Sequence, residues 1–341
     1  MKLALLGTGK IVEEVLPVLE RVTGIELVGI LSTPRSLEKA EKLAKRYAMT
    51  IATSKYEDLL QSDAIDTIYI GTPNNTHYDY AKKALLAGKN VICEKPFTLK
   101  KADLEDLVVT AKKEKVFLLE VITNQYLPNF DVIKEELTHI GEVKIVECNY
   151  SQYSSRYDAF KRGEIAPAFD PKMGGGALYD LNIYNIHLVV GLFGKPKSVT
   201  YLENKERGVD TSRILVMDFG VFKCVCIAAK DCAAEVRSTI QGNKGSIAIL
   251  GPTNSLPTVQ VTLNGEKAQV IDVNTGKHRM QAEFEVFERI LATKDTKAAQ
   301  EALEHSLDVM DVLERAAQST DETRSHVWFY AIYAIIVAVY L

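Results

Sequence analysis

The chain has 341 residues, of which 47% are hydrophobic and 25% are charged, and its formal net charge at pH 7 is -4. This length exceeds one average domain and suits two, and the composition is that of a globular protein rather than a disordered one. The mildly acidic balance gives no electrostatic basis for nucleic-acid binding, which favours a basic face. We therefore expect no nucleic-acid partner.

The first third of the chain alternates short apolar runs with helical patterns. We predict strands at 3–6, 25–31, 67–71, 90–93 and 116–121, and helices at 11–22, 37–47, 78–87 and 101–113. Apolar strands that alternate with helices are typical of a parallel sheet covered on both faces. The pattern predicts an α/β domain with a doubly wound parallel sheet over residues 1–121.

The regular alternation of predicted strands and helices ends after about residue 121. A helix is predicted at 129–139, a strand at 143–153 and a helix at 177–192. Strand follows strand from 198 to about 273, with turn signals such as Asn264-Gly265, and helices return at 279–292 and 297–317. Residues 122–320 are therefore predicted to form an α+β domain on a largely antiparallel sheet, with substrate-binding and dimerisation roles.

The last residues, 321–341, form an atypical tail. From 327 onward they are nearly all apolar, yet the run is shorter than the roughly 20 residues that span a bilayer. Two interpretations stay open: a membrane anchor, or a segment that packs on protein or is foreign to the fold. We favour the second and expect no membrane partner.

The five cysteines, at 93, 148, 224, 226 and 232, are an odd number. The apolar start reaches Gly7 too soon for a secretory signal, so we expect no disulfide framework and a cytoplasmic protein. Cys224 and Cys226 fall on one face of a strand. No second Cys/His pair follows at zinc spacing, so we expect no metal.

The first predicted strand runs into Gly7-Thr8-Gly9-Lys10-Ile11-Val12, and a helix follows. In a dinucleotide-binding turn the first glycine allows a tight turn and the second lets the backbone approach the pyrophosphate. The helix N-terminus then provides free N–H groups. Val12 replaces the usual third small residue, which predicts a helix packed slightly further from its strand. The sequence thus predicts a Rossmann dinucleotide site that includes Gly7, Thr8, Gly9, Lys10 and Ile11.

The second strand is followed by Ser32-Thr33-Pro34-Arg35-Ser36, without an acidic residue. Enzymes that prefer NAD usually place Asp or Glu there, on the ribose 2′-hydroxyl. Ser32, Arg35 and Ser36 are suited instead to a 2′-phosphate. The alternative is a solvated Arg35 and a Ser36 that caps the next helix. We predict that either NADP or NAD is the cofactor and favour NADP.

Two more turns follow later strands, Gly71-Thr72-Pro73-Asn74-Asn75-Thr76-His77 and Cys93-Glu94-Lys95-Pro96. With the later Gly174-Gly175-Gly176-Ala177-Leu178-Tyr179-Asp180, they closely resemble the glucose–fructose oxidoreductase/inositol dehydrogenase (Gfo/Idh/MocA) family. The resemblance extends to about Ala317. It implies NAD(P)-dependent hydride transfer on a secondary alcohol or carbonyl of a sugar, polyol or dihydrodiol-like substrate. It also places a further set of residues at the cofactor: Thr72, Pro73, Asn74, His77, Glu94 and Lys95.

Lys95 follows the fifth strand, and ligands of doubly wound sheets bind at the carboxyl ends of strands. A lysine beside a nicotinamide can donate a proton to a carbonyl that is being reduced, or stabilise an alcohol that is being oxidised. We expect the positive charge of an oxidised cofactor to lower the pKa of this lysine. Lys95 is therefore the predicted catalytic group.

A second catalytic cluster is predicted in the segment Asp180-Leu181-Asn182-Ile183-Tyr184-Asn185-Ile186-His187. On a regular helix Asp180, Tyr184 and His187 share one face. The family pattern is D-x-G-x-H/Y-x-x-D, so Tyr184 matches it, whereas Asn182 and His187 depart from it. We predict catalytic roles for Asp180, Tyr184 and His187. Packing roles for Tyr184 and His187 stay open.

Three expectations concern the second domain and the overall role. Asn124 and Gln125, in the crossover from the first domain, either face the cleft or pack at a hinge. A homodimer, or a dimer of dimers, is expected to form through the region 198–273, as in similar family members. The alternative to an enzyme is a non-catalytic dinucleotide-binding sensor.

Overall fold

The computed structural model describes residues 1–274 and 276–340, with side chains as far as residue 319. The first sheet consists of parallel strands in the order β3-β2-β1-β4-β5-β6. This is the strand order of a Rossmann fold. Its strands are β1 (Lys2–Leu6), β2 (Glu26–Leu31), β3 (Ile51–Thr53), β4 (Thr67–Ile70), β5 (Asn90–Glu94) and β6 (Leu118–Val121).

Helices cover both faces of this sheet. They are α1 (Lys10–Leu19), α2 (Leu37–Arg46), α3 (Tyr56–Leu60), α4 (His77–Leu86) and α5 (Lys101–Glu114). Alternate side chains of β1 enter opposite cores: Leu3 and Leu5 pack in one cluster, and Ala4 and Leu6 in the other. Because a strand directs successive side chains to opposite faces, burial on both faces requires the continuous apolar runs seen in the sequence.

The second sheet has the order β14-β13-β12-β11-β7-β10-β9-β8, in which β7 and β10 are parallel and the other neighbours are antiparallel. Its first strand is β7 (Val143–Ser151), and then come β8 (Ser198–Glu206), β9 (Val209–Asp218), β10 (Lys223–Ala229), β11 (Ser238–Gly242), β12 (Gly245–Ile249), β13 (Val259–Leu263) and β14 (Gln269–Ile271). The accompanying helices are α6 (Pro128–Glu136), α7 (Tyr157–Lys161), α8 (Ile183–Phe193), α9 (Gln281–Thr293) and α10 (Thr296–Tyr340).

The two faces of this second sheet differ. Along β9 the odd-numbered residues are buried, whereas the even-numbered ones are partly or fully exposed. The helices α8 and α10 contact the sheet. Apolar side chains also lie on the open side, where Leu202 is 49% exposed and Ile214 is 41% exposed. The sheet therefore has an apolar face that this chain does not fully cover.

The predicted fold class is confirmed, with a parallel Rossmann sheet and a largely antiparallel second sheet. The sequence did not reveal β3, α3 and α7, because elements of three to five residues show no clear periodicity. The helix predicted at 177–192 is divided into a π-helical turn, Leu178–Asn182, and α8.

The tail of the chain is only partly described. The side chains of the predicted apolar tail, 321–341, lie outside the described residues. Within the described part of the chain, no helix is long and apolar enough to cross a membrane.

Candidate active site

The turn between β1 and α1 has the geometry of an anion cradle. Gly7 adopts a φ of +105°, and a Cβ added there would lie 2.8 Å from the Gly71 carbonyl oxygen. Gly9 caps α1, and a Cβ added there would have no neighbour within 4 Å. The N–H of Glu13 bonds to the Gly9 carbonyl at 3.1 Å, so the N–H groups of the preceding first turn are left for a ligand. This turn fits the pyrophosphate of a dinucleotide.

Val12 stands where the dinucleotide pattern usually has a small residue, and its side chain is fully buried. A Cβ added to Gly71, directly after β4, would lie 2.9 Å from Val12 Cγ2. The glycine of the neighbouring turn therefore leaves the space that the Val12 side chain occupies.

A cavity of about 500 Å³ adjoins the glycine turn. This volume is within the range of small-molecule and cofactor pockets. Ser32 and Ser36 line it, whereas Arg35 is exposed at its side and is not among the lining residues. The remaining lining residues are Gly7, Thr8, Gly9, Leu31, Thr33, Pro34, Ser54, Tyr56, Gly71, Thr72, Pro73 and Tyr80.

His77, which the resemblance places at the cofactor, is not among the residues that line this cavity. It is fully buried, its Nδ1 lies 2.9 Å from the Pro96 carbonyl oxygen, and its Nε2 lies 2.9 Å from the Thr72 carbonyl oxygen. Each ring nitrogen therefore lies beside a backbone carbonyl, and the neutral ring can donate to one of the two. Burial lowers the pKa of His77, and the two carbonyls oppose this effect. The side chain ties the turn after β4 to the turn after β5.

Glu94 also has a different environment from the predicted one. It is buried at the end of β5, and its Oε1 accepts a hydrogen bond of 2.7 Å from the Tyr69 hydroxyl. Burial raises the pKa of the Glu94 carboxyl. The carboxyl lines neither this cavity nor the one beside Asp180. Its side chain holds the strand end that carries Lys95.

Lys95 reaches from the first domain to the π-helical turn of the second. Its Nζ donates to the Asp180 carbonyl oxygen at 3.1 Å and lies 4.0 Å from Asp180 Oδ1. It also lies 4.5 Å from the centroid of the Tyr184 ring. The structure therefore brings together three of the four predicted catalytic residues. The Lys95–Pro96 peptide bond is cis.

The charge of Lys95 is stabilised despite its burial. Burial acts to lower the pKa of this lysine, but Tyr184, Asp180 and Glu94 outweigh burial and raise the pKa above its ordinary value. The expected downward shift concerned the complex with an oxidised cofactor. In the protein alone the shift has the opposite direction, so the ammonium form prevails at neutral pH.

His187, the fourth predicted catalytic residue, is not in the cleft. It is fully buried, and its Nδ1 lies 2.9 Å from Nε2 of His305 on α10. Its Nε2 lies 3.8 Å from Glu120 Oε1. The prediction assumed a constant 3.6 residues per turn, but the π-turn at 178–182 changes the phase of the helix. Desolvation lowers the pKa of His187 well below its ordinary value, which favours a neutral core histidine.

Lys230 is a site residue that the sequence did not reveal. It directly follows β10, is 2% exposed, and donates to Asp180 Oδ2 at 2.6 Å. Like Lys95, it stands at the end of a buried strand. No motif marked it, since its place beside Asp180 results from packing between β10 and a segment 50 residues earlier.

A second cavity, of about 280 Å³, lies beside Asp180. Arg156, Asn74 and Gly174 line it together with Ile11 of the first turn of α1. Asn74 Nδ2 donates to the Gly174 carbonyl at 3.1 Å, which joins the turn after β4 to the second domain. Residues of both domains therefore line this cavity.

Asn124 and Gln125 support the packing interpretation of the crossover. Asn124 is buried and donates to the Tyr184 carbonyl oxygen at 2.8 Å, and Gln125 donates to the His187 carbonyl oxygen at 2.9 Å. Both amides therefore hold the first turns of α8 against the crossover.

The strand order, the glycine turn and a lysine at the strand ends define a dinucleotide-dependent oxidoreductase. Among the residues that the structure describes, no group of three or more His, Cys, Asp or Glu side chains is placed to hold a metal ion.

Sequence comparison agrees with this class. The GFO/IDH/MocA "oxidoreductase family, NAD-binding Rossmann fold" matches residues 1–121, and the GFO/IDH/MocA C-terminal domain matches residues 136–248. A scyllo-inositol 2-dehydrogenase (NADP+) of Bacillus subtilis is 30% identical over 319 residues, which cover 93% of this chain and 96% of that protein. A D-xylose 1-dehydrogenase (NADP+) of Hypocrea jecorina is 29% identical, with 85% and 82% covered.

A solved structure has the same fold. The 3-ketoreductase from Actinomadura kijaniata, in complex with NADP and TDP-benzene, superimposes with a TM-score of 0.81 at 20% identity, covering 94% of this chain and 97% of that one. The chain belongs to the Gfo/Idh/MocA family and is an NAD(P)-dependent oxidoreductase.

The two glycines of the first turn allow stability and cofactor binding to be tested separately. Gly7→Ala should lower the free energy of unfolding by about 1–3 kcal/mol, because its φ is positive and the Gly71 carbonyl is close. Gly9→Ala should leave unfolding nearly unchanged, since its φ of -75° suits alanine. The added methyl should instead weaken dinucleotide binding by about 10- to 100-fold.

Urea denaturation and a fluorescence titration with NADPH measure the two effects. Equal stability losses in the two variants would contradict the assigned roles. So would a Gly9→Ala chain that binds NADPH as tightly as the wild type.

Proposed function

We propose that the protein transfers a hydride between NADP(H) and a secondary alcohol or carbonyl of a polyol or sugar, with Lys95 as the proton-transfer group. One observation carries this proposal: the Lys95 ammonium lies against Asp180 and Tyr184, at the strand ends that also hold the dinucleotide turn. No described feature favours a non-catalytic sensor, because Lys95, Asp180 and Tyr184 are all present and in contact.

The dinucleotide, when bound, supplies or accepts the hydride. In the direction of reduction, Lys95 donates a proton to the carbonyl oxygen of the substrate. The raised pKa of Lys95 keeps this donor protonated at neutral pH. In the direction of oxidation, the neutral amine accepts the hydroxyl proton, so the rate should rise as the pH approaches the pKa of Lys95.

Contacts with Asp180 and Tyr184 stabilise the protonated form of Lys95. The Asp180 carbonyl accepts a hydrogen bond from Lys95 Nζ, and the Asp180 carboxylate offsets the ammonium charge. The Tyr184 ring faces the same ammonium group, a favourable cation–π arrangement. The Asp180 side chain is 40% exposed, which leaves carboxylate surface for a substrate hydroxyl.

The substrate class is supported by the relatives and by the cavity beside Asp180. The relatives are named for scyllo-inositol and D-xylose. A polyol presents several hydroxyls, and the lining includes an amide (Asn74), a carboxylate (Asp180) and a guanidinium (Arg156) that can hydrogen-bond to them. A cyclic polyol or aldose is therefore our proposed substrate.

The preference for NADP rests on the turn after β2. Ser32, Thr33 and Ser36 surround this part of the cavity without an acidic side chain, and Arg35 lies exposed at its side. A 2′-phosphate would gain hydrogen bonds and charge neutralisation there. The Bacillus and Hypocrea relatives carry NADP+ in their names.

Two further proposals concern location and assembly. The five cysteines of the described chain are free thiols, which suits a reducing cytoplasm. The open apolar side of the second sheet, with Leu202 and Ile214, supports a two-fold homodimer that pairs these sheets.

Removal of the proposed proton donor tests the function directly. Lys95→Met should lower kcat by about 100- to 10,000-fold, the usual value for a lost proton-transfer group. Tyr184→Phe should lower kcat by less, about 10- to 100-fold, because the ring face remains. Steady-state rates with NADP+ and a panel of inositols and aldoses measure both effects.

Lys100→Met is the matched control, since Lys100 is exposed beyond the same turn. It should keep wild-type rates, and all three variants should bind NADPH normally. A Lys95→Met chain with near wild-type kcat on a confirmed substrate would refute the proposed role.

The cofactor preference has its own test. Arg35→Ala should weaken NADPH binding by about tenfold, through the loss of one charge-assisted contact, and leave NADH binding unchanged. Arg46→Ala, at the far end of α2, removes the same charge and should change neither affinity. Equal losses for both cofactors in a fluorescence titration would exclude a phosphate contact.

The dimer proposal predicts the effect of a charge on the sheet face. Ile214→Glu should convert the dimer to a monomer, because a buried unpaired carboxylate is costly at an interface. Val109→Glu is the control, since Val109 is 66% exposed on α5. Light scattering distinguishes the two states, and an Ile214→Glu chain that remains dimeric would place the interface elsewhere.

A further inference from the structure

We propose that Lys230 is a positioning residue of the active site: it fixes the Asp180 carboxylate and shares its charge, so that Lys95 can release its proton to and from a substrate. The inference rests on the proposed role of Lys95. Lys230 belongs to no sequence motif identified above, and it directly follows β10 in the second sheet.

The Lys230 ammonium group makes its contacts inside the protein. Its Nζ donates to Asp180 Oδ2 at 2.6 Å and to the Ala168 carbonyl at 2.5 Å, and it lies 4.3 Å from the centroid of the Phe169 ring. Two of its three N–H donors therefore bond to these oxygen atoms, and the aromatic ring lies beside the group. Because the residue is also only 2% exposed, Lys230 acts on a substrate through Asp180.

The backbone also holds Lys230 in place. Its N–H bonds to the Thr211 carbonyl on β9 at 2.7 Å, so the position of the side chain follows from the sheet. The residue is 2% exposed, whereas the Asp180 side chain is 40% exposed. The lysine thus lies behind the carboxylate, and the carboxylate faces the cavity that Arg156 and Gly174 also line.

Asp180 is shared unequally between the two lysines. Oδ2 meets Lys230 at 2.6 Å, whereas Oδ1 lies 4.0 Å from Lys95. The Asp180 carboxylate therefore interacts more strongly with the Lys230 ammonium group than with the Lys95 ammonium group, and Lys95 has a weaker counter-ion. Coulombic repulsion between the two ammonium groups acts in the same sense. Without Lys230, Asp180 would hold the proton of Lys95 more firmly.

Several other titratable groups surround Lys95 and influence its pKa. The acidic and hydroxyl groups come from five neighbouring elements: Glu94 (β5), Glu120 (β6), Tyr150 (β7), Tyr184 (α8) and Asp180 in the π-turn. The histidines are His77 (α4) and His187 (α8). On Lys230 the acting groups are Asp180, Lys95 and Arg156. These groups stay unchanged in the test below, so a difference between variants reports Lys230.

The test measures how readily Lys95 loses its proton in the protein without cofactor or substrate. Trace acetic anhydride at pH 8 acetylates only neutral amines, and mass spectrometry of the Lys95 peptide, normalised to exposed lysines, gives the relative rate. K230M should slow acetylation of Lys95 by about tenfold, since a nearby charge typically shifts a pKa by about one unit or more. K230R, which keeps the charge, should stay within about twofold of wild type.

Lys89 provides the matched control. It is also buried, at the opposite end of β5, and its Nζ donates to the carbonyls of Ser62 and Ile65 at 2.9 and 2.7 Å. K89M therefore removes a buried lysine with no carboxylate partner. It should lower stability without changing the acetylation of Lys95. Equal Lys95 rates in K230M and K89M would overturn the proposal.

A second variant covers the case in which K230M does not fold. K230Q keeps a donor for the Ala168 carbonyl but removes the charge, so it should slow Lys95 acetylation as K230M does. A folded K230Q chain with the wild-type rate would also overturn the proposal.

Kinetics then connect Lys230 to turnover. With a substrate in hand, the rise of kcat/KM for alcohol oxidation should move to higher pH in K230M, by about one pH unit, and stay in place in K230R. An unshifted K230M profile would contradict the proposal. Failure of the proposed function is a separate result: it would appear as no turnover in wild type, while the acetylation rates would still decide the role of Lys230.

Discussion

The contact between Lys95 and the π-turn at Asp180 is the interaction on which the proposed active site depends. Lys95 directly follows a strand of the first sheet and Asp180 lies in the second domain, so neither domain contains the proposed site by itself. Asn74 makes a second bond between the same domains, to the Gly174 carbonyl. A ligand in the cavity between these contacts touches both domains. In the proposed mechanism, the relative placement of the two domains therefore sets the geometry of proton transfer.

Much of the first domain's role was predictable because its signals are local. A glycine with positive φ, a second glycine that faces open space and a helix N-terminus follow each other within a few residues. Lys95 was also easy to single out as a candidate, since it directly follows a buried strand. Val12 could be judged only with a distant residue in view, because Gly71 on the adjoining turn leaves the space that the Val12 side chain occupies.

The errors concern properties that local patterns do not encode. His187 was placed in the cleft on the assumption of a regular helix, and the π-turn invalidated that assumption. His77 matched a motif, but it is buried between two turns with a backbone carbonyl beside each ring nitrogen, and it does not line the cavity beside the glycine turn. Lys230 was missed because its partner lies 50 residues away in the chain. Only the pairing of β10 with β7 and β9 brings it there.

Few charged groups act on Lys95, because burial shifts most of the ionisable groups packed around it toward their neutral forms. Burial raises the pKa of Glu94, and raises that of Glu120 to about 7, whereas it lowers the pKa of His187 well below its ordinary value. Each of these shifts moves the group toward its neutral form, because a low-dielectric interior disfavours charge. Asp180 is the exception: burial acts to raise its pKa, but Lys230 and Lys95 hold it below the ordinary value.

The lowered pKa of Asp180 suggests why a lysine is buried at position 230. A buried ion pair seldom stabilises a fold more than apolar residues of the same size would, because desolvation offsets the attraction between the charges. Lys89 is buried too, but its Nζ donates to backbone carbonyls. Lys230 instead donates to Asp180, a carboxylate that also lies beside Lys95. Its charge keeps Asp180 ionised while limiting how firmly Asp180 holds the proton of Lys95, and a group that must both donate and accept a proton needs that balance.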